Sequence, residues 1–404
     1  MKIELIDMID DGRCVAKYEG KTVFVDGGSV GEIVEATKTN EKKNLIFATK
    51  TKTIQQSPYK NEPLCPHFNE CDGCNLQDIT YKKELEIKKN SVLSKLQRIA
   101  KLDIKDTDIL TNCEYHYRNK VDLKVENGKI GYYNRKTHNL VEISTCKIAS
   151  ESIDKMIKWL SDKNLNGTSE IKIRANYNDE IQISMDYISD EMLENLKSID
   201  KIVEIYLKNK NYELVYRKKQ FVDKIGDLSF IISPKSFFQV NKYNTSLLYD
   251  TAKQMMNADE FDRILDLYCG IGTTTMYIGN GNNTIGVEVV KDAVKDANEN
   301  KKLNNLQNIK FIEEKSENVV GKLTKEHFDI ILVDPPRKGM DEKVVDAIIK
   351  STAKKLVYIS CDPATLARDL KALTENGFEV EDVKLVDMFA KTMHVEAIAL
   401  IQKM

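Results

Sequence analysis

Apolar and polar positions along the chain follow two rhythms, and the change between them marks its organisation. Up to about residue 57 the period is two. Val23-Phe24-Val25 and Glu32-Ile33-Val34-Glu35-Ala36 flank the turn Asp26-Gly27-Gly28-Ser29, and a second strand pair is expected around 43–52. Several short strands in so short a stretch predict a small β-barrel. Over 80–101 the period turns helical, with Leu85, Ile87, Val92, Leu93, Leu96 and Ile99 recurring among lysines. That pattern predicts an amphipathic helix with a basic face. Between about 103 and 236 strands and helices mix without a repeat, which reads as a mixed α+β segment. From 237 onward the segments 263–268, 284–287, 309–312, 328–333 and 355–359 are apolar strands separated by helical stretches. Their alternation predicts a mostly parallel, doubly wound α/β sheet. The expected division is 1–57, 58–236 and 237–404.

Composition narrows the class. Of 404 residues, 41% are hydrophobic and 31% charged, as in an ordinary globular protein, and the net charge is −2. A nucleic-acid surface must therefore be a local basic patch. The first residues, Met1-Lys2-Ile3-Glu4-Leu5-Ile6-Asp7, carry no signal-peptide pattern. No apolar run approaches the ~18 residues of a membrane helix. A cytoplasmic protein is expected, in which thiols stay reduced. Its eight cysteines then become candidates for metal binding or catalysis.

Chemistry concentrates at the carboxyl edge of the expected sheet. Ile264-Leu265-Asp266-Leu267-Tyr268-Cys269-Gly270-Ile271-Gly272 is a strand entering a glycine turn, where backbone can approach a ligand. Glu288 closes the next strand, placed to accept hydrogen bonds from two ribose hydroxyls. Asp334-Pro335-Pro336-Arg337 ends the fourth strand. The third glycine of a dinucleotide fingerprint is missing, since Gly272 is followed by Thr273-Thr274-Thr275, so a nucleoside without phosphates is the better ligand. Asp-x-x-x-Gly-x-Gly with a downstream acid and Asp-Pro-Pro resembles the class I S-adenosylmethionine methyltransferases.

Ser360-Cys361-Asp362-Pro363 follows the strand 355–359, with Asp362 suited to cap a helix and Pro363 to be its first residue. Cys361 then stands just outside a helix N-terminus, where the dipole favours a thiolate nucleophile. C5 of a pyrimidine is barely nucleophilic, and thiolate addition at C6 activates it. The adduct must later lose its C5 proton, so a base is needed. Glu396, in His394-Val395-Glu396, is a carboxylate in an apolar strand and fits that role.

Ser360-Cys361-Asp362-Pro363-Ala364-Thr365-Leu366-Ala367-Arg368-Asp369 and His394-Val395-Glu396 resemble the two signature motifs of the RNA uracil-C5 methyltransferase family. Ser236-Phe237-Phe238-Gln239-Val240-Asn241 is similar to its substrate- and cofactor-contacting segment, and Tyr117-Arg118-Asn119-Lys120 also matches. The resemblance implies Cys361 as nucleophile and Glu396 as base. It places Gln239, Tyr268, Glu288 and Asp334, with the Gly270 and Gly272 turn, around cofactor and uracil. Phe237 and Arg118 are expected on the RNA. One departure is local: where the family reads Phe-Pro-x-Thr-x-His, this chain has Phe389-Ala390-Lys391-Thr392-Met393-His394, which alters the loop before the base.

Cys65-x5-Cys71-x2-Cys74, with Cys146 downstream, offers four soft ligands for a [4Fe-4S] cluster or a zinc ion, and spacing alone does not separate them. It resembles the cluster-bearing branch of the same family, with Asp72 in place of a glycine. Cys14, Cys113 and Cys269 are expected to be packing residues. Residues 12–36 resemble the TRAM domain, an RNA-binding barrel of OB-like shape, and Lys38, Lys42, Lys43, Lys50 and Lys52 could meet phosphates. The branch implies a uridine in a large-subunit (23S) ribosomal RNA loop as target, RNA rather than DNA as partner, and a monomer, and the family implies that the helix near 80–101 packs on the catalytic domain rather than on its own. Three other readings stay open: a transfer-RNA target, an exocyclic-amine methyltransferase, and a non-catalytic RNA-binding protein.

Overall fold

Strands of the first segment keep their small β-branched and alanine residues on one side, and that side is where they close on each other. The computed structural model describes residues 1–105, 107–135, 137–323 and 326–404. Strands Lys2–Glu4, Ile33–Lys42, Leu45–Gln55, Lys21–Asp26, Cys14–Tyr18 and Asp7–Met8 form one sheet in that order. Its two edge strands are the two ends of one short segment. Leu5 N–H donates to Glu32 O at 2.9 Å and Ile6 N–H to Val15 O at 2.8 Å, so the sheet closes into a barrel. Val23, Val25, Val34, Ala36, Ile46 and Ala48 fill it, and Leu76, Ile79, Ile87 and Met393 from outside the first 57 residues complete that core.

A second sheet runs Leu140–Glu142, Lys129–Tyr133, Lys120–Glu126, Glu170–Ala175, Ile181–Met185, Ile202–Lys208, Tyr212–Arg217. Its alternation is plain in Lys120–Glu126, where Val121, Leu123 and Val125 are buried. Those residues share a core with Ile153, Met156, Ile157 and Leu160 of the helix Glu151–Ser161 and with Met192 and Leu196 of the helix Asp190–Lys197.

The third sheet has eight strands, Ile309–Glu313, Asn283–Glu288, Arg263–Leu267, Ile330–Val333, Lys355–Ser360, Glu396–Lys403, Phe378–Val386 and Ile109–Leu110. The first five are parallel, and Glu396–Lys403 is antiparallel to both neighbours. Order reverses between Arg263–Leu267 and Ile330–Val333, the switch point at which such sheets bind ligands.

The body built on this sheet reaches beyond the expected 237–404. The helix Tyr81–Lys95, continued by a π-helical turn Leu96–Ala100, buries Val92, Leu96 and Ala100 in the same core as Leu265, Tyr358 and Leu366. The hairpin of Val222–Ile225 and Leu228–Ile231 joins the other face through Phe221 and Phe230, and the Asn300 and Asn304 amides take up its backbone. The expected basic face of the helix is also corrected at one position. Lys88 is fully buried, because Glu84 and Asp387 each accept from its ammonium at 2.8 Å. Among the described residues no helix is long and apolar enough to cross a membrane.

Candidate active site

The first strand of the third sheet ends in a tight reversal. Tyr268 adopts φ 68°, a left-handed conformation that costs a non-glycine residue about 1–3 kcal/mol. Gly270 and Gly272 follow at φ 55° and 84°. A side chain at Gly272 would strike Phe311, whereas one at Gly270 would meet nothing within 4 Å, so the space over Gly270 is open. Glu288 stands beside it: its Oε2 accepts from Gly270 N–H at 3.1 Å and its Oε1 from Val290 N–H at 2.8 Å. Each oxygen keeps a lone pair for a ligand hydroxyl. Val289 and Val290, both 54% exposed, extend an apolar edge past it that the sequence reading missed.

Beneath the turn, Asp266 is fully buried. Thr274 and Thr275 hydroxyls donate to its Oδ2 at 2.7 and 2.5 Å, while Oδ1 has no partner. Burial pushes its carboxyl up to about 7. Tyr249 was also missed: buried on the helix Thr245–Met256, its hydroxyl meets Thr273 Oγ1 at 3.1 Å and hydrogen-bonds the Gln239 side chain. Gln239 is itself buried, its carbonyl held by the Asn119 amide at 3.1 Å.

Strand register brings Cys361 and Glu396 together. Ser360 and Ala397 are the last paired residues of two antiparallel strands, so Cys361 and Glu396 are the next facing pair. Asp334 follows Val333, which pairs with Tyr358 on the adjoining strand. Burial pushes Glu396 up to about 8, with Asp334 adding and Arg337 offsetting. Asp334 rises to about 7 through burial and Asp266. Glu396 Oε2 is buried without a partner, poised for a group that is not protein.

Asp362 caps the helix Pro363–Thr374, its Oδ1 accepting from Ala364 and Thr365 N–H at 2.9 and 3.0 Å, as the sequence predicts. The expected thiolate at Cys361 is corrected. The Asp362 cap already takes the helix's leading donors, and burial with Glu396 and Asp334 pushes the thiol up to about 12. Cys361 shares a cavity of about 330 Å³ with Arg337, His394, Arg135, Lys95 and, from the barrel, Asp10 and Asp11. Burial and the two arginines hold His394 down to about 4. Cys269 is buried and faces the Gly270 carbonyl.

Two expected RNA-contacting residues lie apart from this cavity's walls. Phe237 is 68% exposed. Arg118 lines a second cavity of about 350 Å³ together with Cys65, Cys71, Cys74 and Cys146, next to Arg135, Arg337 and His394. Gly73 N–H donates to Cys71, and Ile148 and Ala149 N–H donate to Cys146. Burial raises the thiols of Cys74 to about 12 and Cys146 to about 11, the other cysteines adding. Among the described residues no group of three His, Cys, Asp or Glu side chains is arranged to hold a metal ion.

The loop between Asp387 and Glu396 joins these parts. Lys391, at φ 69°, is 1% exposed; its ammonium pairs with Glu84 at 3.2 Å and Glu114 at 2.9 Å, under the rings of Tyr81 and Tyr115. Its carbonyl accepts from Asn75 and Leu76 N–H, directly after Cys74.

Residues 80–404 match the family model described as tRNA (Uracil-5-)-methyltransferase. The chain belongs to this family. An uncharacterized RNA methyltransferase of Bacillus cereus is 34% identical, the alignment covering 98% of this chain and 95% of the relative. One of Clostridium acetobutylicum is 32% identical over 100% and 96%. The crystal structure of Pyrococcus abyssi tRNA (uracil-54, C5)-methyltransferase in complex with S-adenosyl-L-homocysteine superposes with a TM-score of 0.80 at 23% identity, covering 99% of this chain and 100% of that one. The chain thus shares the fold of that structure over nearly all of its length.

Proposed function

We propose that the protein methylates C5 of a uridine through a covalent bond between Cys361 and C6, with S-adenosylmethionine as methyl donor. The observation that carries this is the facing of Cys361 and Glu396 across the strand ends, with Asp334 beside them. Bound over Gly270, S-adenosylmethionine would supply an electrophilic methyl group on a sulfonium sulfur. Glu288 would hold its ribose, and the unpartnered Asp266 Oδ1 and the open space over Gly270 are the features that fit such a ligand. Gln239, Tyr268, Gly272 and Asp334 complete its surroundings.

Cys361 Sγ gives up its proton to water in the open cavity and adds to C6, moving an electron pair toward C5 and the O4 carbonyl. C5 would then attack the methyl carbon while the bond from that carbon to the sulfonium sulfur breaks, its electron pair staying on sulfur as a neutral thioether. Glu396 as carboxylate takes the C5 proton, the Sγ–C6 bond breaks, and the thiolate is restored. Arg337, beside both groups, stabilises the anions formed. An exocyclic-amine methyltransferase or a non-catalytic RNA-binding protein needs no such pairing of a cavity thiol with a buried carboxyl.

Cys65, Cys71, Cys74 and Cys146 are assigned to a [4Fe-4S] cluster. A shared cavity with backbone donors aimed at two sulfurs suits a bound metal group of either kind, and the resemblance to the cluster-bearing branch is what favours the cluster over a single zinc ion. The same branch supports large-subunit (23S) ribosomal RNA as target and residues 1–57 as a TRAM barrel. The target nucleotide must leave its stack to reach Cys361, so an unpaired loop is the substrate. Mass spectrometry of ribosomal and transfer RNA from a strain lacking the protein tests the assignment: loss of 5-methyluridine from one ribosomal site supports it, and an unchanged 5-methyluridine content in both RNAs refutes it.

A further inference from the structure

The barrel turns two phenylalanines outward. Phe24 and Phe47 are register partners on the parallel strands Lys21–Asp26 and Leu45–Gln55, whose inward residues Val23, Val25, Ile46 and Ala48 fill the core. The two half-buried rings lie 5.8 Å apart at 38°. Cations flank them. The Arg13 guanidinium stands 5.4 Å from the Phe24 ring and 5.6 Å from the Phe47 ring, and Lys42 Nζ lies 5.9 Å from Phe47. Arg13 is steered by Asp11, donating from Nε to Oδ1 at 3.1 Å and from Nη2 to Oδ2 at 2.6 Å. Asp10 and Asp11 are in turn part of the Cys361 cavity wall. A continuous strip therefore runs from the catalytic cavity across Asp11 and Arg13 to the aromatic pair.

The lysines expected to serve RNA on this barrel are in part committed elsewhere. Lys38 pairs with Glu41 at 2.6 Å and Lys50 with the buried Glu32 at 2.7 Å. Beside the cavity, the barrel offers two flat apolar rings with Arg13, itself paired with Asp11, and Lys42 over them. That is the chemistry which receives an unpaired nucleobase, since every base has a π-face and the adjoining phosphate seeks a cation.

We propose that Phe24 and Phe47 form a stacking platform for an unpaired nucleotide flanking the target uridine, with Arg13 turning from the rings to that nucleotide's phosphate. The proposal rests on the RNA-methyltransferase reading above. The test uses the full-length protein and an oligouridine strand of about 12 nucleotides, within the reach of a small barrel, carrying one 2-aminopurine moved along the strand. In the wild type, fluorescence should be quenched at one position. Phe24→Leu/Phe47→Leu, which keeps the apolar volume but removes both faces, should abolish that quenching and weaken binding by roughly tenfold. The salt dependence of binding should be unchanged by this pair and reduced by about one phosphate contact in Arg13→Gln. S-adenosylmethionine binding should match wild type throughout. If the double variant binds within about twofold of wild type and no position loses quenching, the platform is refuted while wild-type methylation stands. If wild type neither binds the strand nor methylates any uridine RNA, it is the function itself that fails.

Discussion

Replacing Glu396 by glutamine moves two observables in opposite directions. Cys361 is held near 12 and Glu396 near 8, so at pH 8 the thiol lies four units below its midpoint (12 − 8) and about one in 10⁴ is ionised. Alkylation of Cys361 by iodoacetamide in the free enzyme is therefore slow and climbs about tenfold per pH unit. Below about pH 7 Glu396 is protonated and carries no charge, so wild type and Glu396→Gln should react at the same rate. Above about pH 8 the wild-type carboxylate ionises and repels a neighbouring thiolate, and glutamine does not. The two curves should separate there, the variant being faster. Methylation runs the other way, because the C5 proton of the adduct then has no acceptor. The assay follows alkylation of the Cys361 peptide by mass spectrometry between about pH 6 and 10. A wild-type curve that levels off below about pH 9, or two curves that coincide throughout, would refute the reasoning.

With RNA and S-adenosylmethionine present, Glu396→Gln should accumulate a protein–RNA conjugate on a denaturing gel; Cys361→Ala should give neither conjugate nor product. Cys269→Ala should keep both, since Cys269 is buried, and a conjugate lost only in Cys269→Ala would reassign the nucleophile. Anaerobically purified protein should be brown with equal iron and sulfide, and Cys74→Ala colourless; stoichiometric zinc in a colourless wild type would replace the cluster. Lys88→Met leaves Glu84 and Asp387 buried with less compensation, so urea unfolding should show a loss of about 3–5 kcal/mol; a loss below about 1 kcal/mol would mean the network contributes little.

What the sequence made legible was placement fixed by local spacing. Asp362 and Pro363 announce a helix start, and a strand before them places Cys361 at the sheet edge. Glu288 and Asp334 follow from the same logic of strand ends. The rest depends on residues far apart in the chain. Lys88 and Asp387 meet across 299 positions, and in sequence Lys88 is one more lysine on an outer face. Tyr249 gives no motif, because its role comes from packing beside Gln239. The division at 57 and 236 misplaces the hairpin near Phe230, whose apolar face finds cover on the third sheet, whereas the helix Tyr81–Lys95 packs there as the family resemblance implies. Nor did residue type reveal the thiol's protonation, which depends on burial beside two carboxyls.

The hydrogen bonds from Asn75 and Leu76 to the Lys391 carbonyl, with the ammonium clamped at its other end, leave the loop ahead of Glu396 no slack. A residue gained or lost there would shift the base, the cysteine segment and the helix together. In this chain, changes of RNA preference are therefore best sought on surfaces that can vary without moving that loop. The exposed Phe237 and the outward rings of the barrel are such surfaces, while the interior loop stays the same length.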